Sequence, residues 1–95
     1  MPLRPRYKKE FIDLQKSKKF RHLDSQIGDV CGRLCKNPRA CHAHQLHGEW
    51  QLYWSADIAK KGRGSERIIF QVHCPKTPDI PKDEIWFVTI IDTHL

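Results

Sequence analysis

CGRLCKNPRACHAHQLHGEW, residues 31 to 50, is where the sequence changes from a helical pattern to a β-type pattern. Before it, apolar residues recur at helical spacing in two segments, from Lys8 to Lys18 and from Phe20 to Leu34. Pro38 ends the second segment, because proline disfavours helical backbone in the residue before it. Beyond Pro38 come three runs rich in aromatic and β-branched residues: Glu49 to Ile58, Glu66 to His73 and Glu84 to Asp92. This order predicts an α+β domain with an N-terminal helical hairpin packed on a small antiparallel β-sheet.

The remaining segments are short connections. Leu3 to Tyr7 could add a short strand, which Pro2 and Pro5 would confine to an edge of the sheet. Lys60 to Ser65 contains two glycines and predicts a turn between the first two of the three runs. A chain of 95 residues can bury only one sizeable core, so residues 1–95 are expected to form a single domain.

The charge balance points to a polyanionic partner. Seventeen Lys and Arg residues stand against eleven Asp and Glu, a formal net charge of +6. Basic side chains gain affinity for nucleic acid by releasing counterions from its phosphates, although a basic excess can also serve solubility alone. The sequence has no apolar run of about 20 residues and no signal-peptide pattern at its start, so we expect a cytoplasmic protein without a membrane segment.

Four cysteines raise the question of a disulfide framework or a zinc site. Thiols stay reduced in the cytoplasm, which disfavours disulfides. Cys31 and Cys35 are four residues apart on the apolar face of the second helix, where cysteine behaves as a small buried hydrophobic residue. With Cys41 they could still chelate zinc, but their spacing matches no common zinc motif. A zinc site therefore remains an open alternative.

Three histidines follow the proline that ends the helix and lead into the first β-type run. Such loop positions often display functional side chains. His42 and His47 are expected to be ordinary surface histidines, whereas His44 is a candidate functional residue. Arg67 begins the next run and His94 follows the last, so the three candidates could share one face of the sheet.

Four motifs in this order resemble the RelE superfamily of bacterial toxins, in particular its YoeB and YafQ branches. They are H-x-L-x-G-x-W at residues 44 to 50, Y-W-S-x-x-I at residues 53 to 58, R-I-I-F at residues 67 to 70, and Thr93-His94. The resemblance covers residues 7 to 95. It implies a type II toxin, held inactive by a cognate antitoxin protein, that cleaves mRNA on the ribosome. The resemblance therefore also implies contact with 16S rRNA.

The implied chemistry uses no cofactor and no metal. A general base takes the proton of a ribose 2′-hydroxyl, which attacks the adjacent phosphate, and a general acid protonates the leaving 5′-oxygen. Histidine suits both roles because its ordinary pKa of about 6.5 allows either protonation state near neutral pH. A guanidinium suits the phosphate because its planar fork can contact two oxygens.

Carried over by position, the resemblance implies a catalytic base at His44, a phosphate-binding group at Arg67 and a catalytic histidine at His94. Asp57 stands where YafQ-like members have a histidine and YoeB-like members an arginine, and Leu95 replaces a terminal aromatic residue. We expect five residues to contact substrate: Tyr53, Asp57, Lys60, Lys61 and Arg63. Two alternatives remain, a ParE-like toxin that acts on DNA gyrase and a zinc-dependent RNA-binding module.

Overall fold

The computed structural model describes residues 2–58 and 66–92. Two helices and five strands follow one another in the order β1 (Arg4–Tyr7), α1 (Lys9–Lys16), α2 (Asp24–Lys36), β2 (His44–Gln45), β3 (Trp54–Asp57), β4 (Arg67–Val72) and β5 (Glu84–Ile91). Short 3-10 helices lie at Arg21–Leu23 and Gly48–Trp50. The predicted fold class, an α+β domain with two consecutive N-terminal helices on a small sheet, is confirmed.

The five strands form one sheet in the order β1-β5-β4-β3-β2. Strands β2 to β5 pair antiparallel, as predicted, whereas β1 lies parallel to β5 at the edge. No hairpin joins β1 to β5, so the direction of β1 is not set by a turn. Its residues are all exposed, which is compatible with prolines in an edge strand.

The main core lies between the two helices and one face of the sheet. Phe87 of β5 is at its centre, with ring centroids 5.3 Å from Tyr7, 5.6 Å from Phe11 and 6.4 Å from Phe70. The second helix contributes a buried stripe at helical spacing, formed by Ile27, Val30, Cys31 and Leu34. Both helices are therefore held by apolar burial against β4 and β5.

The opposite face of the sheet carries a different set of side chains, because neighbouring residues of a strand point to opposite faces. Ala56, Ile68 and Phe70 belong to the helix-covered core. Ser55, Asp57, Arg67, Ile69 and Thr89 alternate with core residues and point away from the helices. This second face carries the polar residues that the sequence singled out.

One predicted strand begins later than expected. The run Glu49 to Ile58 alternates like a strand, but residues 48–50 form a 3-10 helix and β3 starts only at Trp54. Gly48 has a positive φ of 69°, a conformation that glycine adopts readily, and its carbonyl accepts a hydrogen bond from Gln51 at 3.2 Å. This turn lets the chain reverse, so that β2 pairs with β3. The predicted turn at Lys60 to Ser65 lies outside the described residues.

Neither helix resembles a membrane span. Over residues 2–58 and 66–92, no helix has the length and apolar character needed to cross a bilayer.

Candidate functional site

Asp57 and Arg67 form the centre of the candidate site. They lie opposite each other in β3 and β4, and Arg67 in turn lies opposite Ile91 of β5. The Nε of Arg67 is 3.0 Å from Oδ1 of Asp57, and its Nη1 donates a hydrogen bond of 3.0 Å to the carbonyl of Glu66. The two side chains are only 9% and 19% exposed, for Arg67 and Asp57 respectively. The guanidinium is thus fixed in orientation at the start of β4.

This arrangement bears on two of the predicted roles. Asp57, expected to contact substrate, uses one carboxylate oxygen to hold Arg67. Arg67, expected to bind phosphate, exposes little of its guanidinium to solvent in this conformation. Both roles stay predictions, and the structure adds that the two side chains form an ion pair.

His42 lies against the same carboxylate, which the sequence did not indicate. Its Nδ1 is 3.5 Å from Oδ2 of Asp57, while its side chain is 81% exposed. One carboxyl group therefore contacts an arginine through one oxygen and a histidine through the other. The exposure of the His42 side chain agrees with its expected surface position. The spacing of residues in the sequence does not indicate that His42 lies near Asp57, because this proximity depends on how the loop after Pro38 folds back.

The backbone at His42 is unusual. Cys41 and His42 have φ values of 56° and 57°, in the left-handed region that side chains other than glycine seldom occupy. Each of these two left-handed residues lowers the free energy of unfolding by about 1 kcal/mol relative to a right-handed conformation. The loop is anchored there by the N–H of Asp57, which donates a hydrogen bond of 2.9 Å to the carbonyl of Cys41. Asp57 thus contacts the ring of His42 with its carboxylate and the backbone of the preceding residue, Cys41, with its own N–H.

His44 is in the two-residue strand β2, opposite Ser55. This register places His44 on the same face of the sheet as Asp57, one step further along β3. Its ring is exposed, and its Nδ1 lies 3.2 Å from the carbonyl oxygen of His42. The structure therefore brings His44, Asp57 and Arg67 to one face and adds His42 to them, whereas His47 is an exposed residue next to Gly48, as expected.

Two predicted aromatic roles can be compared with the structure. Tyr53 immediately precedes β3 and packs edge-on against Trp50, with ring centroids 5.4 Å apart. Its contact with substrate remains a prediction. Trp54, expected to be the core residue of the pair, packs against the main core on the helix-covered face, 6.2 Å from the ring of Phe70.

Four predicted site residues lie outside the described residues: Lys60, Lys61, Arg63 and His94. Strand β5 ends at Ile91, which is paired with Arg67. The predicted roles of these four residues remain predictions.

The cysteines show no metal-binding cluster in the part of the chain that the structure describes. All four are free thiols, and among residues 2–58 and 66–92 no group of three or more His, Cys, Asp or Glu side chains could hold a metal ion. Burial, followed by the proximity of Cys35 and Cys41, raises the pKa of Cys31 to about 12. The zinc alternative built on Cys31, Cys35 and Cys41 thus finds no support in this part of the chain.

Comparison with known proteins gives no match by sequence and several by structure. No protein-family model and no curated protein sequence matches the chain. The YoeB/ParE toxin from Agrobacterium tumefaciens superposes with a TM-score of 0.68 at 15% identity, covering 98% of this chain and 100% of the toxin. The RelBE2 toxin–antitoxin complex from Mycobacterium tuberculosis contains a chain with a TM-score of 0.65 at 19% identity, covering 99% and 100%.

A third similar structure is the DinJ–YafQ toxin–antitoxin complex from E. coli, with a TM-score of 0.66 at 16% identity, covering 99% of this chain and 94% of the other. At such identities the likeness concerns the path of the backbone, and the full coverage shows that it extends over the whole domain. The chain therefore has the fold of the RelE, YoeB and YafQ toxins.

Proposed function

We propose that this protein is the toxin of a type II toxin–antitoxin system and cleaves mRNA on the ribosome in the cytoplasm. The observation that carries the proposal is the Arg67–Asp57 pair, with two histidines beside it on the face of the sheet that the helices leave uncovered. A fixed guanidinium next to imidazole groups is what RNA cleavage without a metal needs. The similarity in fold to toxins solved with antitoxins supports a cognate antitoxin as partner.

The proposed reaction is an internal transesterification. A histidine of this face, for which the sequence favours His44, takes the proton of a 2′-hydroxyl, and the oxygen attacks the adjacent phosphorus. Arg67 stabilises the charge that develops on the phosphate oxygens, and His94 gives a proton to the leaving 5′-oxygen. The products are a 2′,3′-cyclic phosphate and a 5′-hydroxyl end. Tyr53, Lys60, Lys61 and Arg63 would contact the RNA.

The proposal is tested in a reconstituted translation reaction with purified protein and a defined mRNA. We expect cleavage that requires ribosomes and stops when the nucleotide before the cut lacks its 2′-hydroxyl. Arg67→Lys and His94→Ala should each lower the cleavage rate at least 100-fold. Lys76→Ala and His22→Ala are the matched controls, because both side chains are exposed, with His22 between the two helices and Lys76 in the loop between β4 and β5. Cleavage by Arg67→Lys and His94→Ala at the wild-type rate would contradict the catalytic assignment.

A gyrase-directed toxin is the second candidate, because one structure of the same fold is described as a YoeB/ParE toxin. It predicts inhibition of DNA supercoiling by purified gyrase without mRNA cleavage. Assaying both reactions with one preparation separates the two functions.

A further inference from the structure

We propose that His42 is the general base of the site, that Asp57 positions its ring, and that His44 supports the loop. The inference rests on the proposed RNA cleavage and names a residue that neither the sequence motifs nor the resemblance selects. It is carried by three observations: the contact between His42 and Asp57, the shared carboxylate with Arg67, and the left-handed backbone at His42.

The contact with Asp57 prepares the ring of His42 to accept a proton. Nδ1 faces the carboxylate at 3.5 Å, so the tautomer of the neutral ring that carries its proton on Nδ1 is the one that the contact selects. The lone pair then resides on Nε2, on the other side of the ring from Asp57. Because the side chain is 81% exposed, an RNA strand on the sheet can reach this nitrogen. When Nε2 takes a proton, the adjacent carboxylate stabilises the resulting imidazolium, as in other histidine–aspartate pairs.

The shared carboxylate fixes the base relative to the phosphate-binding group. Oδ1 of Asp57 contacts Arg67 and Oδ2 contacts His42, so a single carboxyl group separates the imidazole from the guanidinium. The 2′-hydroxyl and the phosphate that it attacks belong to the same nucleotide linkage and need such neighbouring groups. His44 lies opposite Ser55, one step further from the pair along β3.

The backbone supports the same assignment. Left-handed conformations at residues other than glycine concentrate at functional sites, where surrounding contacts maintain them. Here the Asp57 N–H holds the carbonyl of Cys41, and Nδ1 of His44 lies 3.2 Å from the carbonyl of His42. The ring of His44 thus interacts with the loop that presents His42, which is a positioning role.

The step balances without any other reactant. Nε2 of His42 receives the 2′-hydroxyl proton as the bond from the 2′-oxygen to phosphorus forms. The bond from phosphorus to the 5′-oxygen breaks, and that oxygen takes a proton from the separate general acid. The proton on His42 returns to solvent after the product leaves.

Two substitutions separate the chemistry of His42 from its backbone. His42→Gly accepts the left-handed conformation and leaves room for free imidazole, and His42→Asn accepts the same conformation with a polar side chain that is not a base. We expect each to lower kcat for mRNA cleavage at least 100-fold with KM within twofold. Added imidazole should restore His42→Gly at least tenfold and leave His42→Asn and His44→Ala unchanged. His44→Ala alone should lower kcat less than tenfold.

The positioning role of Asp57 is tested by a double-mutant cycle. If Asp57 acts through His42, Asp57→Asn should lower kcat strongly in the wild-type background and much less in His42→Gly, because residues that act as a unit are not additive. Equal losses in the two backgrounds would mean that Asp57 does not act through His42. Circular dichroism of each variant checks that the fold is retained.

The remaining outcomes distinguish this inference from the proposed function. If His42→Gly and His42→Asn cleave at the wild-type rate while His44→Ala is inactive, the inference is wrong and the nuclease proposal stands with His44 as base. If His42→Gly is slow but imidazole does not restore it, His42 is not the base. If the wild-type protein cleaves no mRNA, both proposals are wrong.

Discussion

Asp57 and Arg67 face each other across β3 and β4, with a carboxylate oxygen 3.0 Å from the guanidinium Nε, and both side chains are largely removed from solvent. An ion pair in such a position is costly to form and costly to break, since each charge has lost most of its hydration. It is therefore a site where a substitution should affect both folding and function. The ion pair also explains how the charged Arg67 can begin a strand whose next three residues are fully buried.

We expect Asp57→Ala to lower the free energy of unfolding by about 3 kcal/mol, because it removes the carboxylate that balances a buried guanidinium. Urea denaturation followed by circular dichroism measures this change. Asp29→Ala is the matched control, since Asp29 makes an ion pair with Arg33 at a similar distance of 3.1 Å but both side chains are more than half exposed. The control should cost less than about 0.5 kcal/mol. Equal effects of the two substitutions would contradict the view that burial makes the Asp57–Arg67 pair important.

The aromatic cluster around Phe87 should be the most sensitive part of the core. Phe87 is fully buried and lies within 5.3 to 6.4 Å of three other rings, measured between centroids. Phe87→Ala should cost about 4 kcal/mol, through lost burial and the cavity left behind. Leu52→Ala, at a side chain that is 41% exposed, should change stability by less than about 1 kcal/mol. Thermal unfolding of both variants tests the contrast, and similar losses would show that Phe87 is not central.

Much of this fold could be predicted from the sequence, because two strong periodicities carry it. The helical spacing of Ile27, Val30 and Leu34 reappears as a buried face, and the dense apolar runs become β4 and β5. The extent of the first run could not be predicted, since alternation does not distinguish a strand from a 3-10 turn followed by a strand. The left-handed φ of Gly48 decides between them. The parallel direction of β1 depends on tertiary packing alone.

The candidate site was only partly predictable for a related reason. The motifs select Arg67 and Asp57, and the structure pairs them because strand register places them opposite each other. The sequence does not indicate His42, because its approach to Asp57 depends on two successive left-handed residues in a loop, Cys41 and His42, and no glycine stands there to mark such a conformation. No periodicity or spacing rule describes such a contact.

The stability of the loop between β4 and β5 should depend on the hydroxyl group of Thr77. Thr77 is 4% exposed, and its Oγ1 donates a hydrogen bond of 2.6 Å to the carbonyl of Val72. Thr77→Val keeps the shape but leaves that carbonyl without this donor, and we expect a loss of about 1 to 2 kcal/mol. Thr77→Ser keeps the hydroxyl and should lose less. Hydrogen exchange at the amide of Ile80, which donates to the carbonyl of Thr77 at 3.2 Å, should be faster in Thr77→Val than in Thr77→Ser.

Cys31 should make the protein less stable in alkaline solution. Burial, with smaller contributions from Cys35 and Cys41, raises the pKa of this thiol from 9.0 to about 12. Above pH 9 the unfolded chain releases the proton while the folded chain retains it. The stabilising contribution of Cys31 is therefore complete below pH 9 and is lost as the pH rises from 9 towards 12, by about 1.4 kcal/mol per pH unit.

Urea denaturation between pH 8 and pH 10.5 measures this loss. Cys31→Ala should make the decline of stability with pH shallower by about 1.4 kcal/mol per unit above pH 9. The pKa values of Cys35 and Cys41 are also raised, chiefly by burial, so part of the decline should remain. Cys74→Ala is the matched control. Slight burial raises the pKa of Cys74, but its hydrogen bonds with the Thr77 side chain and with the backbone at Lys76 and Thr77, together with the charge of Lys76, outweigh burial and lower the pKa. Cys74→Ala should therefore not make the decline of stability with pH shallower. If that decline has the same slope in the wild type and in Cys31→Ala, Cys31 ionises as readily in the folded chain as in the unfolded one.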